Sequence, residues 1–220
     1  MPSKAKAAFT ENSKDITELW SIHQEISGQG AGRKYGVEVL NRSAVVFITA
    51  CWESYVEDLA TEAFDFLLEN CPTSSLIPQK VKALATKPIW AQKNETKVWD
   101  IADNGWRQLL QDHKVTTLQH WLGSFNTPKT SQVNQLYEEL LGIKNLSTKW
   151  YWQAMSAANA EKKLDDFIQV RGDIAHRLNP GKAVQKNLGT KYHEHVKKLV
   201  ECCEAAVHSH LLQVTGKAPW

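Results

Sequence analysis

The sequence has no long hydrophobic run: no stretch approaches the ~18 apolar residues that a membrane-spanning helix needs. Its opening, MPSKAKAAFTENSKD, is small, polar and basic, without the apolar centre of a secretory signal. A cytoplasmic protein with no membrane partner is therefore expected, with residues 1–8 frayed. Cysteine is scarce and unpatterned. Cys51 lies in an apolar stretch, Cys71 stands alone and Cys202 and Cys203 are adjacent, so no disulfide framework is drawn. Charge of one sign is also missing. A net charge of +2 over 220 residues supplies no global field for nucleic acid, and any RNA site has to be a local basic cleft. The glycine-rich run at residues 28–36 lacks the Gly-Lys-Ser/Thr ending and the preceding strand of a phosphate loop, which leaves it as a connector. Strand-like alternation, internal repeats and low-complexity tracts are absent.

What the sequence does contain is helical periodicity nearly throughout, which predicts an all-α bundle of about six to seven helices. Ile16, Leu19, Trp20, His23 and Ile26 mark a first helix over residues 10–27, so residues 1–36 read as an N-terminal helix and connector and residues 37–214 as the main domain, together one compact unit. Residues 37–70 carry the longest pattern: Leu40, Ala44, Phe47/Ile48, Cys51/Trp52, Tyr55/Val56, Leu59, Ala63 and Phe66/Leu67 form a stripe broad enough for a central helix. Pro78 starts a short helix that Lys87-Pro88 ends. Residues 95–122 read as one long helix with a kink near Gly105, in which Trp99 and Trp106 share core spacing and pack inward. Thr130 or Ser131 caps a helix that Gly142 closes. Residues 157–178 and 190–214 supply the last two helices, the latter with Tyr192, Val196, Leu199/Val200, Cys203, Val207 and Leu211 facing inward.

The last helix also carries His193, His195, Cys202, Cys203, His208 and His210. Helical residues two apart point about 200° from one another, so neither His-x-His pair chelates from one face, and no metal or other cofactor is expected.

The segment LDDFIQVRGDIAHRLNP, residues 164–180, poses the functional question. Leu164, Phe167, Ile168 and Ile174 recur at helical spacing, whereas Arg171 and His176 interrupt the apolar pattern. Arginine forks onto phosphate oxygens and histidine exchanges protons near neutrality, so together they suit a phosphodiester. On an undistorted helix the two lie about 140° apart, and convergence needs the reach of Arg171, a distortion at Gly172, or a second copy of the segment across an interface. The alternative is structural: Arg171 pairs with Asp166 or Asp173, and His176 helps to end the helix before Asn179-Pro180.

The string Arg171-Gly-Asp-Ile-Ala-His176 followed by a basic residue resembles the R-x4-6-H signature of HEPN domains, in the form found in the RiboL-PSP type. The order of the chain supports the resemblance over residues 37–212: the helix containing FITACWESYVEDL, then Leu140-Leu-Gly-Ile143, Trp150 and Trp152, and the Arg/His helix. Many active members carry a polar residue directly after the arginine; here that position is Gly172, with Asp173 next.

The resemblance implies a metal-independent endoribonuclease in which two Arg/His helices meet across a homodimer axis, cut RNA and leave 2′,3′-cyclic phosphate ends. It assigns catalysis to Arg171 and His176 and supporting roles to Asp173 and Glu53. Arg177 and Lys182 lie near the same end and are candidates for holding the RNA backbone. It also implies a phage-defence or toxin role, with a possible antitoxin partner. Two other readings stay open at this point: a catalytically inactive HEPN-like module that binds nucleotides, RNA or protein, and a helical scaffold without a site.

Overall fold

The computed structural model describes residues 1–28, 36–92, 95–124, 128–176 and 184–220, and the side chains of residues 95, 100, 122–124 and 176 fall outside that description. It is all-α, with seven helices and no strand among the described residues: α1 Lys4–Ser27, α2 Glu38–Asn70, α3 Gln79–Ala91, α4 Gly105–Ser124, α5 Thr130–Leu141, α6 Ala157–His176 and α7 Lys186–Thr215.

α2 is the axis of the bundle. The inward residues Ile48, Trp52, Tyr55, Val56, Leu59 and Phe64 are at most 1% exposed, and α1, α4, α5, α6 and α7 all pack on this helix. Burying rings of this size is the main favourable term, but each polar handle must then find a partner inside. The Tyr55 hydroxyl donates to the Val200 carbonyl at 3.0 Å and the Tyr137 hydroxyl to the Val56 carbonyl at 3.0 Å. Trp52 Nε1 donates to the Pro128 carbonyl at 3.2 Å, and Trp150 Nε1 to Cys203 Sγ at 3.1 Å. These bonds set the rotation of α5 and α7 about α2. All seven residues expected to face inward from the last helix are buried, and Gly142 ends α5 with φ 71°, the left-handed stop that favours glycine.

Several local expectations are corrected. Residues 1–8 are not frayed: α1 begins at Lys4, Ser3 and Ala5 are buried, and the Glu204 carboxylate accepts from Ser3 N at 2.8 Å and Ser3 Oγ at 2.6 Å. The Glu62 carboxylate similarly accepts from the Lys4 and Ala5 amides, both at 3.0 Å. Two carboxylates from other helices thus meet the bare amides and positive dipole end of α1. Glu204→Gln should lower stability by about 2 kcal/mol, because it weakens hydrogen bonds to a charged group. Urea unfolding and the rate of proteolysis within α1 measure the effect.

α3 runs through Pro88 to Ala91 instead of stopping at it. The proline sits in the last turn, where little helix remains to be disrupted. The long helix expected over residues 95–122 is broken: a 3-10 segment Glu95–Ile101 is followed by a turn in which Asp103 has φ 52°, and α4 starts at Gly105. Trp99 consequently leaves the face of Trp106 and is 78% exposed, while Trp106 stays half-buried beneath the Arg107 guanidinium at 4.4 Å. Nor is α5 capped by its own hydroxyls in the expected way; Asp165 of α6 accepts from both Thr130 N at 2.9 Å and Thr130 Oγ1 at 3.0 Å.

Candidate functional site

α6 buries Ala160, Leu164, Phe167 and Ile168, and the same stripe continues at helical spacing to Arg171 and Ile174, both half-buried. Arg171 therefore stands where the apolar seam of α6 reaches the edge of the core. Beneath it the Phe167 and Tyr192 rings stack at 4.4 Å, and the Tyr192 hydroxyl shares a 3.0 Å hydrogen bond with Thr49 Oγ1 of α2. This stack joins the guanidinium-bearing turn to both α7 and α2.

Glu53 of α2 lies within electrostatic range of Arg171. Partial burial pushes the Glu53 carboxyl up from the usual range and the Arg171 charge pulls it back down. Burial raises the Tyr192 phenol strongly, against the lowering effects of its Thr49 hydrogen bond and of Arg171. Glu57, one turn further along α2, is also raised, by burial first and then by Glu53 and Asp58. Among the described residues no ion pair contains Arg171. The carboxylates considered as structural partners are engaged elsewhere: Asp166 with Lys162 Nζ at 2.5 Å, and Asp173 with Gln169 Nε2 at 3.4 Å. Asp173 is two residues from Arg171, about 200° around the helix, so the two do not share a face.

His176 is the last residue of α6; its side chain lies outside the described residues. Arg177 and Lys182, the expected backbone-binding cations, also lie outside them. Val184 lies just before α7, and its carbonyl accepts from Asn41 Nδ2 at 2.9 Å. The end of α6 and the start of α7 are thus both found near the N-terminal part of α2.

Gly172 occupies a half-buried helical position at which an added Cβ would meet nothing within 4 Å. No packing demand fixes glycine there, although glycine is a poor helix residue. Gly172→Ala should raise stability by roughly 0.5–1 kcal/mol in thermal or urea unfolding.

Sequence reasoning missed the surface beside this site. Phe47, placed on the inward stripe of α2, is instead 43% exposed, together with Val39 at 61%, Val46 at 37% and Ile22 at 36%. These four residues line a groove of about 650 Å³ between α1 and α2, and Ile174 of the Arg/His helix closes one side. Val39, Val46 and Glu53 recur every seven residues, so the apolar groove and the Glu53 carboxylate lie along one stripe of α2. The available signal was the breadth of the α2 pattern: a helix apolar on more than one side has more to bury than one core.

The histidines of α7 diverge. His195 Nε2 meets the Ala160 carbonyl of α6 at 3.0 Å, His210 Nε2 meets the Leu141 carbonyl at 2.8 Å, and His208 lies edge-on to Trp220. Among the described residues no group of three or more His, Cys, Asp or Glu side chains could hold a metal ion. Among them, too, no helix is long and apolar enough to cross a membrane.

Comparison with known proteins adds one finding. No curated protein and no solved structure matches the chain. The family model for RiboL-PSP-HEPN matches residues 9–208, which takes in most of α1 as well as the Arg/His helix. A seven-helix bundle built on a long central helix, with Arg171 at the edge of its core in the family's characteristic string, is thus accompanied by a match over most of its length, and the chain belongs to the RiboL-PSP-HEPN family.

Proposed function

We propose that this chain is a metal-independent endoribonuclease that works as a homodimer, with Arg171 and His176 of both copies forming one composite site. The observation that carries the reading is the exposed apolar groove ending at Ile174, on the same helix as Arg171. A face of this kind, directly beside a cation on the family's signature segment, suits burial against a second copy, and such burial brings two Arg/His helices together. It also removes the geometric difficulty, because the angle between Arg171 and His176 on one helix no longer limits which groups meet.

In that site one His176 accepts the proton of a ribose 2′-hydroxyl. The 2′-oxygen attacks phosphorus, the bond from phosphorus to the 5′-oxygen breaks, and a protonated His176 from the other copy supplies a proton to the leaving oxygen. The products are a 2′,3′-cyclic phosphate and a 5′-hydroxyl. Arg171 holds the phosphate and offsets the charge that develops on it. Glu53 helps to orient the guanidinium through its charge, without a direct ion pair; partial burial strengthens that effect relative to one in open solvent. Arg177 and Lys182 steer the RNA backbone. The chain acts in the cytoplasm, in defence or as a toxin held by an antitoxin.

The test is cleavage of single-stranded RNA in excess EDTA, with the ends identified by mass spectrometry. Cyclic phosphate ends support the mechanism; activity abolished by chelation and restored by metal overturns it. A second reading is favoured by Gly172, which stands where many active members carry a polar residue: an inactive RNA- or nucleotide-binding module. Binding without cleavage of any RNA would establish that one instead.

A further inference from the structure

α2, α6 and α7 meet beneath Arg171, and the residues that meet there repeat one interval. On α2, Thr49 and Glu53 are four apart and lie on one face; on α6, Phe167 and Arg171 do the same. Tyr192 of α7 fits between the two pairs. Its ring stacks on Phe167 with centroids 4.4 Å apart, and its hydroxyl meets Thr49 Oγ1 at 3.0 Å. The tyrosine is thus fixed at both ends, one turn from Arg171 on α6 and one turn from Glu53 on α2.

The direction of that hydrogen bond follows from the protons present. A hydroxyl has one proton to donate and two lone pairs with which to accept. Thr49 Oγ1 gives its proton to the Val45 carbonyl at 2.9 Å, so between Thr49 and Tyr192 the phenol is the donor. The Tyr192 proton is therefore turned toward α2, and its oxygen is left with lone pairs alone. Tyr192 is 0% exposed, so solvent does not reach them, and among the described residues no other hydrogen bond uses them. Buried lone pairs without a donor are costly, and a cation close by offsets the cost. Arg171 is within that range: burial raises the phenol, while the Thr49 hydrogen bond and then the Arg171 charge lower it.

We infer that Tyr192 is a positioning residue for Arg171: with its proton committed to Thr49, the phenol oxygen offers the guanidinium only lone pairs, and this sets how the arginine fork is turned toward the phosphate. Without such a neighbour the long side chain keeps its rotamer freedom, and few of its orientations direct two N–H groups at one phosphate. Glu53 acts on the same cation through a full charge, whereas Tyr192 acts through a dipole that does not titrate near neutrality. The inference rests on the proposal that Arg171 holds the scissile phosphate. It adds a residue that is wholly buried and touches no substrate.

The first measurement needs no RNA: the Arg171 Nε–Hε peak in a nitrogen–proton correlation spectrum, identified by its absence in Arg171→Lys protein. Tyr192→Phe, which keeps the ring, and Thr49→Val should each shift that peak, whereas Thr49→Ser, which keeps the hydroxyl, should leave it in place. The second measurement is cleavage. Tyr192→Phe should lower kcat by about 3- to 10-fold, the usual worth of one hydrogen bond, with little change in KM. In an Arg171→Ala background the same substitution should have no further effect, because its route to the substrate is gone. Thermal unfolding and sedimentation check that each variant keeps its fold and association state; should Tyr192→Phe fail to fold, Thr49→Val against Thr49→Ser decides. An Arg171 peak that stays in place in Tyr192→Phe and Thr49→Val overturns the inference, as does an unchanged kcat. An equal loss of kcat in the Arg171→Ala background also overturns it, by making the hydroxyl a support of the fold alone. Wild-type protein that cuts no RNA sinks the nuclease reading, and the Arg171 peak still decides whether Tyr192 positions the arginine.

Discussion

His176→Ala should lower RNA cleavage by about 10²- to 10⁴-fold, the usual contribution of a positioned general acid or base. Arg171→Ala should lower it by a comparable factor, because it removes the group that offsets charge on the phosphate in a partly water-excluded site. The two variants should differ in their pH profiles. Arg171→Ala retains the histidine-dependent pH profile of the wild type, whereas His176→Ala flattens it. Both should remain folded. Arg171 is half-buried at the rim, and the Phe167–Tyr192 stack beneath it does not depend on its charge. The measurement is initial cleavage rate against pH for purified wild type and both variants, with thermal unfolding as the control. A His176→Ala protein within a fewfold of wild type would remove catalysis from this segment.

Acid should destabilise the fold strongly between pH about 6.5 and 4, through two histidines that take no part in catalysis. His193 and His195 are 4% and 3% exposed. Burial, ahead of repulsion from Lys197, lowers His193 from 6.5 to about 4. Burial likewise lowers His195 to about 4, against the hydrogen bond to Ala160 and with a contribution from Lys163. Among the described residues His193 Nε2 and His195 Nδ1 have no hydrogen-bond partner, so a proton placed there would be a buried charge with no acceptor among them. Both rings therefore stay neutral in the fold and charge readily once exposed. Below pH 6.5 the unfolded chain binds more protons than the native one, so stability is fully present above that value and falls as pH falls toward 4. Each ring contributes about 3 kcal/mol over the window, at ~1.4 kcal/mol per pH unit. Glu53 and Glu57, raised by burial, act in the opposite sense, since their folded forms favour the proton, and they offset part of the loss. Urea unfolding from pH 7.5 to 4.5 should show the decline, with a much shallower slope in His193→Gln/His195→Gln. An equal slope in that variant would contradict the assignment.

The bundle was legible because its information is local. The inward faces of α2 and α7 follow from helical spacing, and the left-handed stop at Gly142 follows from one residue. The roles given to Arg171 and Glu53 came from the resemblance alone, since nothing in the spacing joins α2 to α6. What stayed hidden was long-range or two-sided. The Ser3–Glu204 hydrogen bonds join residues 201 apart in the chain, so no window of sequence shows why α1 begins at Lys4. The break before Gly105 was hidden because Trp99 and Trp106 satisfy helical spacing whether or not a turn intervenes. Phe47 was assigned inward because periodicity reports apolar character, not which of two faces meets the protein's own core.

The central claim is that two copies make one active site across the groove of Ile22, Val39, Val46, Phe47 and Ile174. Phe47→Glu tests it most directly, by placing a carboxylate on the exposed part of that face, far enough from the interior to leave the fold intact. Sedimentation velocity and cleavage rate are measured on the same samples over a range of protein concentrations. The account predicts a dimeric wild type and a monomeric variant that keeps its thermal stability and loses cleavage, although Arg171 and His176 are both present. A variant that cleaves RNA at the wild-type rate while sedimenting as a monomer would contradict it.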